Sequence, residues 1–225
     1  MKKIRVAILD DHPSIIDGYI FRLGKADDIE VVATALFADE LENILKSKKT
    51  DVLILDVFVP SSKYNSNPYP ILQAIPKWKA LYPELIILVI SMYNLRTLIA
   101  AVMESGASGY ILKDDQASIH KLDNVIRIVA GGGVYFSKPV YEILHKQSSS
   151  SLELTARQMQ ALSICAANPD STTSKLANLM NVEHSTFRNL LSGAYERLGV
   201  HNRTAAITKA IQLGLIPSPN IQTDL

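Results

Sequence analysis

The feature that most constrains this chain is a short apolar run that ends in a carboxylate. Residues 52–55 read Val-Leu-Ile-Leu without interruption, and Asp56 follows directly. Such a run is typical of a central parallel strand, because helices cover both faces of the sheet and the alternation of polar and apolar residues disappears. Open α/β sheets bind their ligands at the carboxyl ends of the strands. We therefore predict that Asp56 is a chemical switch.

Other strand-like runs alternate with helical patterns along the first 130 residues. We predict strands at 4–9, 29–35, 52–55, 86–91 and 109–112. A helix begins at Pro13 and stops at Gly24, and another covers 119–130 before three glycines. Pro76 lies within the helical pattern of residues 71–81, where it predicts a kink or a delayed start. Five strand–helix alternations predict a doubly wound, flavodoxin-like, five-stranded parallel sheet.

The second half of the chain has a different pattern. Ser137 begins a short helix that reaches about His145, and residues 147–151 contain four serines in a row, typical of a flexible linker. Strand signals then vanish, and we predict an all-α module of four helices that begin at Ala156, at Thr172 or Thr173, at His184 or Ser185, and at Thr204. The predicted divisions are 1–130 for the α/β domain, 131–151 for the short helix and linker, 152–217 for the helical domain and 218–225 for a tail.

Composition excludes several classes of protein. The chain has 225 residues with 23 basic and 22 acidic side chains, a balance that by itself indicates neither a nucleic-acid nor a membrane partner. The single Cys165 excludes an internal disulfide, fits a reducing compartment, and has apolar neighbours that predict a buried, inert thiol. Apolar runs such as 85–90 are too short to cross a bilayer, and no signal peptide is evident. We expect a soluble, cytoplasmic protein.

Polar side chains follow four of the predicted strands, and they are Asp10 and Asp11, Asp56, Ser91 and Lys113. Carboxylates brought together repel one another, and a divalent cation relieves that repulsion. Mg²⁺ suits a set of hard oxygen ligands. Lys113 can pair with a carboxylate and then with an incoming phosphoryl group, to which Ser91 can donate a hydrogen bond. The pattern predicts an Asp56 nucleophile that accepts a phosphoryl group, and the alternative is that the carboxylates merely cap helices or turns.

These residues resemble the receiver domain of bacterial two-component response regulators. The resemblance covers residues 1 to about 130 and is carried by Asp10-Asp11-His12-Pro13, Asp56-Val57 with Pro60, Ser91, and Gly109 to Lys113. It implies that a sensor histidine kinase, a phosphotransfer protein or a small phosphodonor phosphorylates Asp56. It also implies that Asp11 and Asp56 bind Mg²⁺ directly, that Asp10 assists through water, and that the Phe58 carbonyl completes the protein ligands. Ser91 and Tyr110 are then the switch pair.

One departure from that family follows the acceptor strand. The family usually has Met-Pro and then Gly, whereas Val59-Pro60 is followed here by a loop of Ser, Asn, Pro and Tyr residues at 61–70. Some regulators of this subfamily, the RcsB type among them, have a similarly lengthened loop. We predict an irregular loop that is either a tolerated insertion, which we favour, or a surface for a partner.

The C-terminal part resembles a LuxR-type helix-turn-helix, which together with the receiver is the layout of the NarL/FixJ class. The motifs are 154–157, 176–177, 185–188, 198–200 and 202–206. The resemblance implies that 185–198 form a recognition helix in the major groove and that the last helix supplies a dimer contact. The predicted DNA-binding residues are Ser185, Thr186, Arg188, Asn189, Ser192, Lys175 and Arg203.

Departures from this pattern predict weak or partner-dependent DNA affinity. Six basic and five acidic residues follow the linker, a poor electrostatic footprint for DNA. Phe187 replaces the usual Val, and Gln158 and Lys175 stand where Glu is common. Gly193 in the middle of a predicted helix costs roughly 1 kcal/mol relative to Ala.

Three hypotheses follow. The first is a phosphorylation-activated transcription regulator that binds DNA as a homodimer or as a heterodimer with another regulator, not an enzyme beyond self-phosphorylation and auto-dephosphorylation. The second is a receiver whose helical module binds proteins. The third, a Mg²⁺-dependent phosphatase, fits less well, because Asp10-Asp11-His12 lacks the Asp-x-Asp of such enzymes.

Overall fold

The strands of the first half form one parallel sheet. A computed structural model describes residues 3–145 and 154–216. The sheet strands are β1 (Ile4–Leu9), β2 (Ile29–Ala35), β3 (Val52–Leu55), β6 (Ile86–Ser91), β7 (Gly109–Leu112) and β8 (Tyr135–Phe136), in the order β2-β1-β3-β6-β7-β8. The two intervening strands, β4 (Pro60–Ser62) and β5 (Asn65–Pro68), form a separate antiparallel pair. The predicted doubly wound sheet is confirmed.

The sheet has six strands, whereas five were predicted. The extra strand, β8, contributes two residues that pair in parallel with Gly109 and Tyr110. Gly109 permits this approach, since a Cβ there would lie 2.6 Å from the Tyr135 carbonyl oxygen. A strand of two residues is too short to show periodicity, so no pattern predicts it.

The stretch at 61–70 is not wholly irregular. β4 and β5 pair antiparallel, with Pro60 opposite Pro68 and Ser62 opposite Asn65. The Ser61 hydroxyl donates to the Asn67 carbonyl at 2.9 Å, and the Tyr69 N–H donates to the Val59 carbonyl at 2.9 Å. These bonds make an ordered hairpin of residues 60–68, and the prediction of an irregular loop was wrong there.

Helices cover both faces of the sheet. They are α1 (Pro13–Leu23), α2 (Ala38–Ser47), α3 (Ile71–Leu81), α4 (Arg96–Glu104), α5 (Gln116–His120), α6 (Leu122–Ala130) and α7 (Lys138–His145). The helix predicted at 119–130 is instead two helices, since the backbone leaves the helical region at Lys121. α7 begins after Ser137, as predicted, and the Ser137 hydroxyl accepts a hydrogen bond from the Leu112 N–H at 3.3 Å.

Pro76 does not delay α3, which runs through it from Ile71. A proline lacks the N–H that would donate to the carbonyl four residues earlier, here that of Leu72. The Ser105 hydroxyl, just after α4, donates mainly to the Ala101 carbonyl at 2.7 Å and lies 3.3 Å from the Leu72 carbonyl oxygen. Ser105 therefore compensates only weakly for the missing helical bond.

The second half is helical, as predicted. Its helices are α8 (Ala156–Ala167), α9 (Thr173–Leu179), α10 (His184–Leu198) and α11 (Arg203–Gln212). Thr155 and Gln158 form the predicted capping box of α8, and Gly199 ends α10 in the left-handed conformation. Cys165 is buried, as predicted. The predicted linker at 147–151 and tail at 218–225 lie outside the described residues.

The helical module packs on the receiver half. α8 contacts α3, α4 and the hairpin strand β5. The apolar residues of this interface belong to one buried cluster that joins both halves, including Leu98 of α4 and Leu162 of α8. A second buried cluster lies on the other face of the sheet, between α1 and α6. The carboxyl ends of the strands thus lie close to the module.

Candidate functional site

A pocket at the carboxyl ends of β1, β3 and β7 brings together the predicted acidic residues. Asp10 and Asp11 follow β1, and Asp56 follows β3. Each of these residues and His12 offers a ligand atom within 4.8 Å of the others. Asp10 and Asp56 are buried, since their strands lie in the middle of the sheet. A carboxylate set of this kind suits a hard divalent cation such as Mg²⁺ better than a thiolate-preferring metal.

Lys113 links two of the carboxylates. Its ammonium nitrogen lies 2.6 Å from Oδ2 of Asp10 and 2.6 Å from Oδ2 of Asp56. The side chain is 6% exposed, so water screens these pairs little. Burial alone would lower the pKa of Lys113, but the charges and hydrogen bonds of Asp56 and Asp10 outweigh it and raise that pKa. Lys113 is therefore a charged clamp on the predicted acceptor.

Asp56 is held in an environment that opposes its ionisation. Burial raises the pKa of its carboxyl to about 6, although Lys113 lowers it and Asp10 adds a further rise. The Phe58 N–H, 3.4 Å from Oδ1, is a weak donor to the same carboxylate. A cation that enters the pocket would therefore stabilise the ionised form of Asp56.

The pH dependence of stability follows from this raised pKa. In EDTA, the folded protein holds more protons than the unfolded chain between about pH 4 and 6, so the unfolding free energy falls as pH rises through that window. The total loss is about 3 kcal/mol. We expect Asp56→Asn to remove this dependence, as measured by urea unfolding at pH 4 to 7. An unchanged slope in the variant would assign the pH effect to another group.

Ser91 and Tyr110 lie behind the acceptor. Ser91 is fully buried at the end of β6, and its Oγ accepts weakly from the Tyr93 N–H at 3.4 Å. The Tyr110 hydroxyl donates to the Tyr93 carbonyl at 2.7 Å. Burial raises the pKa of Tyr110, against a hydrogen bond from Ser91 that lowers it. Tyr110 is therefore a neutral donor packed in the core.

Sequence reasoning missed four residues that line the pocket. Tyr93 packs edge-on against Phe58, with ring centroids 3.9 Å apart. Met92 and the hairpin residues Ser66 and Pro68 also line the pocket. Tyr93 lies two residues after Ser91, and this position could have predicted that it lines the pocket. Ser66 and Pro68 could not be predicted, because they reach the pocket only through the hairpin.

Most of the predicted DNA-binding residues share one face of α10. Ser185, Arg188 and Ser192 follow the three- and four-residue spacing of one helix face, and all are exposed. Thr186 and Asn189 beside them are also exposed, while Phe187 and Leu191 are buried. The arrangement presents a polar helix face to solvent.

The other two predicted DNA contacts lie elsewhere. Lys175 is exposed on α9. The Arg203 guanidinium donates to the carbonyls of Ser171 and Pro169 at 2.8 and 2.9 Å, so it ties α11 to the loop before α9. Arg203 thus has a structural role, and its contact with DNA stays a prediction.

The structure explains why a glycine stands at position 193 inside α10. A Cβ at this position would lie 2.6 Å from the Gln158 Nε2 atom. The Gln158 Oε1 atom accepts from the Thr155 N–H at 3.0 Å and from Arg197 at 2.7 Å. The glycine therefore makes room for a side chain that joins α8 to α10.

Comparison with known proteins decides the family. The response regulator receiver domain family matches residues 6–124, more than half of the chain. The chain belongs to the response regulators. Among curated relatives of this response regulator, the transcriptional regulatory protein MctR of Rhizobium johnstonii is 28% identical, and the match covers 95% of this chain and 96% of MctR.

Solved structures of the RcsB response regulator are similar to this one over nearly its whole length. A Salmonella typhimurium RcsB structure, described for its conformational dynamism in DNA interaction, is 25% identical with a TM-score of 0.59 and covers 92% of this chain and 98% of its own. The isolated receiver domain of RcsB from Salmonella enterica serovar Typhimurium with the phosphomimetic BeF₃⁻ is 26% identical, with a TM-score of 0.57. That match covers 64% of this response regulator and 100% of the domain.

No helix within residues 3–145 and 154–216 combines the length and apolar character needed to cross a bilayer.

Proposed function

We propose that this response regulator controls transcription and is switched by phosphorylation of Asp56. The observation that carries the proposal is the Lys113 clamp, in which one buried ammonium group contacts both Asp10 and Asp56 at 2.6 Å beside Asp11. Such a site concentrates negative charge for a cation and holds a lysine ready for a phosphoryl group. The relatives that are named as transcriptional regulators support the output.

The chemistry assigned to the pocket is a transfer of one phosphoryl group. A carboxylate oxygen of Asp56 forms a bond to phosphorus as the bond from phosphorus to the donor breaks, and the donor is the phosphohistidine of a kinase or phosphotransfer protein or a small acyl phosphate. Asp10, Asp11, Asp56 and the Phe58 carbonyl would hold Mg²⁺, which neutralises charge on the transferring oxygens. Lys113 then exchanges a carboxylate for a phosphoryl oxygen, and Ser91 donates to another.

Tyr93 contacts both the pocket and the helical module, so it can transmit a change at Asp56 to that module. Its ring contacts Phe58 on one side, and its carbonyl accepts the hydrogen bond of Tyr110. On the other side, Gly214 has φ +68°, and a Cβ there would lie 3.2 Å from the Tyr93 ring. Movement of Ser91 and Tyr110 on phosphorylation would disturb this contact and shift the population of docked and released modules.

The output we propose is DNA binding through α10. Its exposed face carries Ser185, Thr186, Arg188, Asn189 and Ser192. The helix N-terminus and its hydroxyl groups suit backbone phosphates, and Arg188 and Asn189 suit base edges. α11 would pair two modules into a homodimer, or into a heterodimer with another regulator.

A second function is supported by the charge of the module. Six basic and five acidic residues follow residue 151, so few cations are available for phosphates. The helical module of residues 152–217 would then bind a partner protein, with DNA affinity weak or dependent on that partner.

DNA binding separates these two functions. We expect the full chain, treated with acetyl phosphate and Mg²⁺, to retain fragments selected from genomic DNA, with affinity that falls as salt is raised. Arg188→Ala should weaken that binding by about 1–3 kcal/mol, or roughly 5- to 150-fold, in fluorescence anisotropy titrations. Lys121→Ala, which also removes one exposed cation but lies on the receiver half, should leave it unchanged. No retention of any fragment at low salt would favour the protein-binding function.

A further inference from the structure

The hairpin of residues 60–68 is a fixed part of the receiver and not a loose insertion. Its base is closed by the bond from the Tyr69 N–H to the Val59 carbonyl, and a bond from the Tyr64 N–H to the Ser62 hydroxyl at 3.3 Å lies in its turn. β4 contacts α2, and the Tyr69 hydroxyl just beyond the hairpin donates to Glu42 of α2 at 2.6 Å. β5 contacts α8. Two neighbouring helices, α2 and α8, therefore hold the hairpin in place.

One side of this hairpin faces the acceptor. The pocket above Asp56 has a volume of about 160 Å³ and is lined by Asp11, Asp56 and Lys113 on the sheet side. Ser66 and Pro68 of β5 line it from the hairpin. Ser66 is nevertheless exposed, so it lies at the mouth, whereas Pro68 is buried deeper. Tyr64 at the hairpin tip is 93% exposed and does not line the pocket.

The position of the hairpin matters for any group attached to Asp56. A phosphoryl group on Asp56 would project into this pocket, which Asp56 lines together with Ser66 and Pro68. Any water must enter past the residues at the mouth, and excluding water from a site suppresses hydrolysis of reactive intermediates.

We infer that the hairpin sets the lifetime of the aspartyl phosphate by restricting the approach of water to phosphorus. The inference rests on the proposed phosphorylation of Asp56. In the restricted reaction, the water oxygen forms a bond to phosphorus as the bond from phosphorus to the Asp56 oxygen breaks, which releases inorganic phosphate, a proton and the free carboxylate. Ser66 is the positioning residue at the mouth, and it limits access without contacting the reacting atoms.

Two changes should alter the lifetime in opposite directions. Ser66→Phe narrows the mouth at an exposed position, where added bulk leaves the core untouched, and should lengthen the half-life of the phosphorylated protein by about threefold or more. Replacement of residues 61–67 by Asn-Gly, a two-residue turn that can join Pro60 to Pro68, opens the mouth and should shorten the half-life by a similar factor. Lys63→Phe places the same aromatic side chain at an exposed position outside the pocket and should decay like the wild type.

The measurement is the decay of phosphate label after acetyl phosphate is removed from the full-length protein. Label on the wild type with equal half-lives in Ser66→Phe, the shortened hairpin and Lys63→Phe would overturn the inference and leave the proposed function intact. Equal lengthening in Ser66→Phe and Lys63→Phe would also overturn it, because an aromatic side chain anywhere on the hairpin would then have the same effect. Absence of label on the wild type would instead overturn the proposed function.

Discussion

An Asp56→Asn variant is expected to take up no phosphoryl group from acetyl phosphate and Mg²⁺, whereas the wild type takes up one per chain. Asparagine preserves the volume of the side chain but cannot form an acyl phosphate, because its amide lacks a nucleophilic carboxylate oxygen. The other buried carboxylate, Asp10, also pairs with Lys113 but does not line the pocket, whereas Asp56 does. Of the two buried carboxylates, Asp56 is therefore the one that an incoming donor can reach. Intact-mass spectrometry measures the uptake directly.

A matched control separates loss of the acceptor from loss of charge. Asp17→Asn makes the same change at an exposed position of α1, outside the pocket, and should be phosphorylated like the wild type. Thermal unfolding should show that Asp56→Asn remains folded. Equal labelling of Asp56→Asn and the wild type would contradict the assignment and direct attention to Asp10 or Asp11.

The grouping of Asp10, Asp56 and Lys113 was predictable because parallel topology dictates where strand ends meet. Once residues 52–55 are a central strand, Asp56 lies at its carboxyl end, and the ends of β1 and β7 bring Asp10 and Lys113 to the same edge. The identity of each residue then predicts its contact, since a lysine between two carboxylates pairs with both. The structure places Lys113 in that position.

The features that were missed depend on contacts between residues far apart in sequence. The hairpin lacks the apolar alternation of an ordinary strand, and its supports on α2 and α8 are remote in the chain. Pro76 lies within α3, and the Leu72 carbonyl receives a weak contact at 3.3 Å from Ser105, 33 residues away. Gly193 makes room for Gln158. Local propensity predicts a cost at each of these positions, and tertiary packing supplies the compensation.

The packing between the two halves was likewise absent from the sequence reasoning. Val57 and Phe58, directly after the acceptor, line a small cavity with Ser163 of α8 and with Leu215 and Ile216 after α11. Apolar periodicity predicts that a helix buries one face but not which partner covers it. The structure shows that part of the cover is the segment directly after Asp56, so the proposed phosphorylation site adjoins the contact with the helical module.

Lys113→Met is expected to destabilise the protein by about 3–5 kcal/mol at pH 8 in EDTA, because it leaves Asp10 and Asp56 buried without their cation. Methionine keeps most of the side-chain volume, so the loss is electrostatic. Mg²⁺ should restore much of the stability by replacing the missing charge. Lowering the pH to 5 should also restore it, because the pKa of Asp56 lies at about 6 even with Lys113 present and rises further without it, so that the carboxyl is neutral in the folded state.

Urea unfolding under these three conditions checks the expectation, with Lys49→Met at an exposed position as the control. That control should change the unfolding free energy by less than about 0.5 kcal/mol. An equal loss for Lys113→Met at pH 5 and pH 8, unaffected by Mg²⁺, would show that Lys113 stabilises the fold through packing and not through charge. If Mg²⁺ and acid restore the unfolding free energy of Lys113→Met, the two carboxylates require neutralisation of their charge but not this lysine in particular. Lys113 would then be free to leave Asp56 for a phosphoryl oxygen whenever the cation is bound.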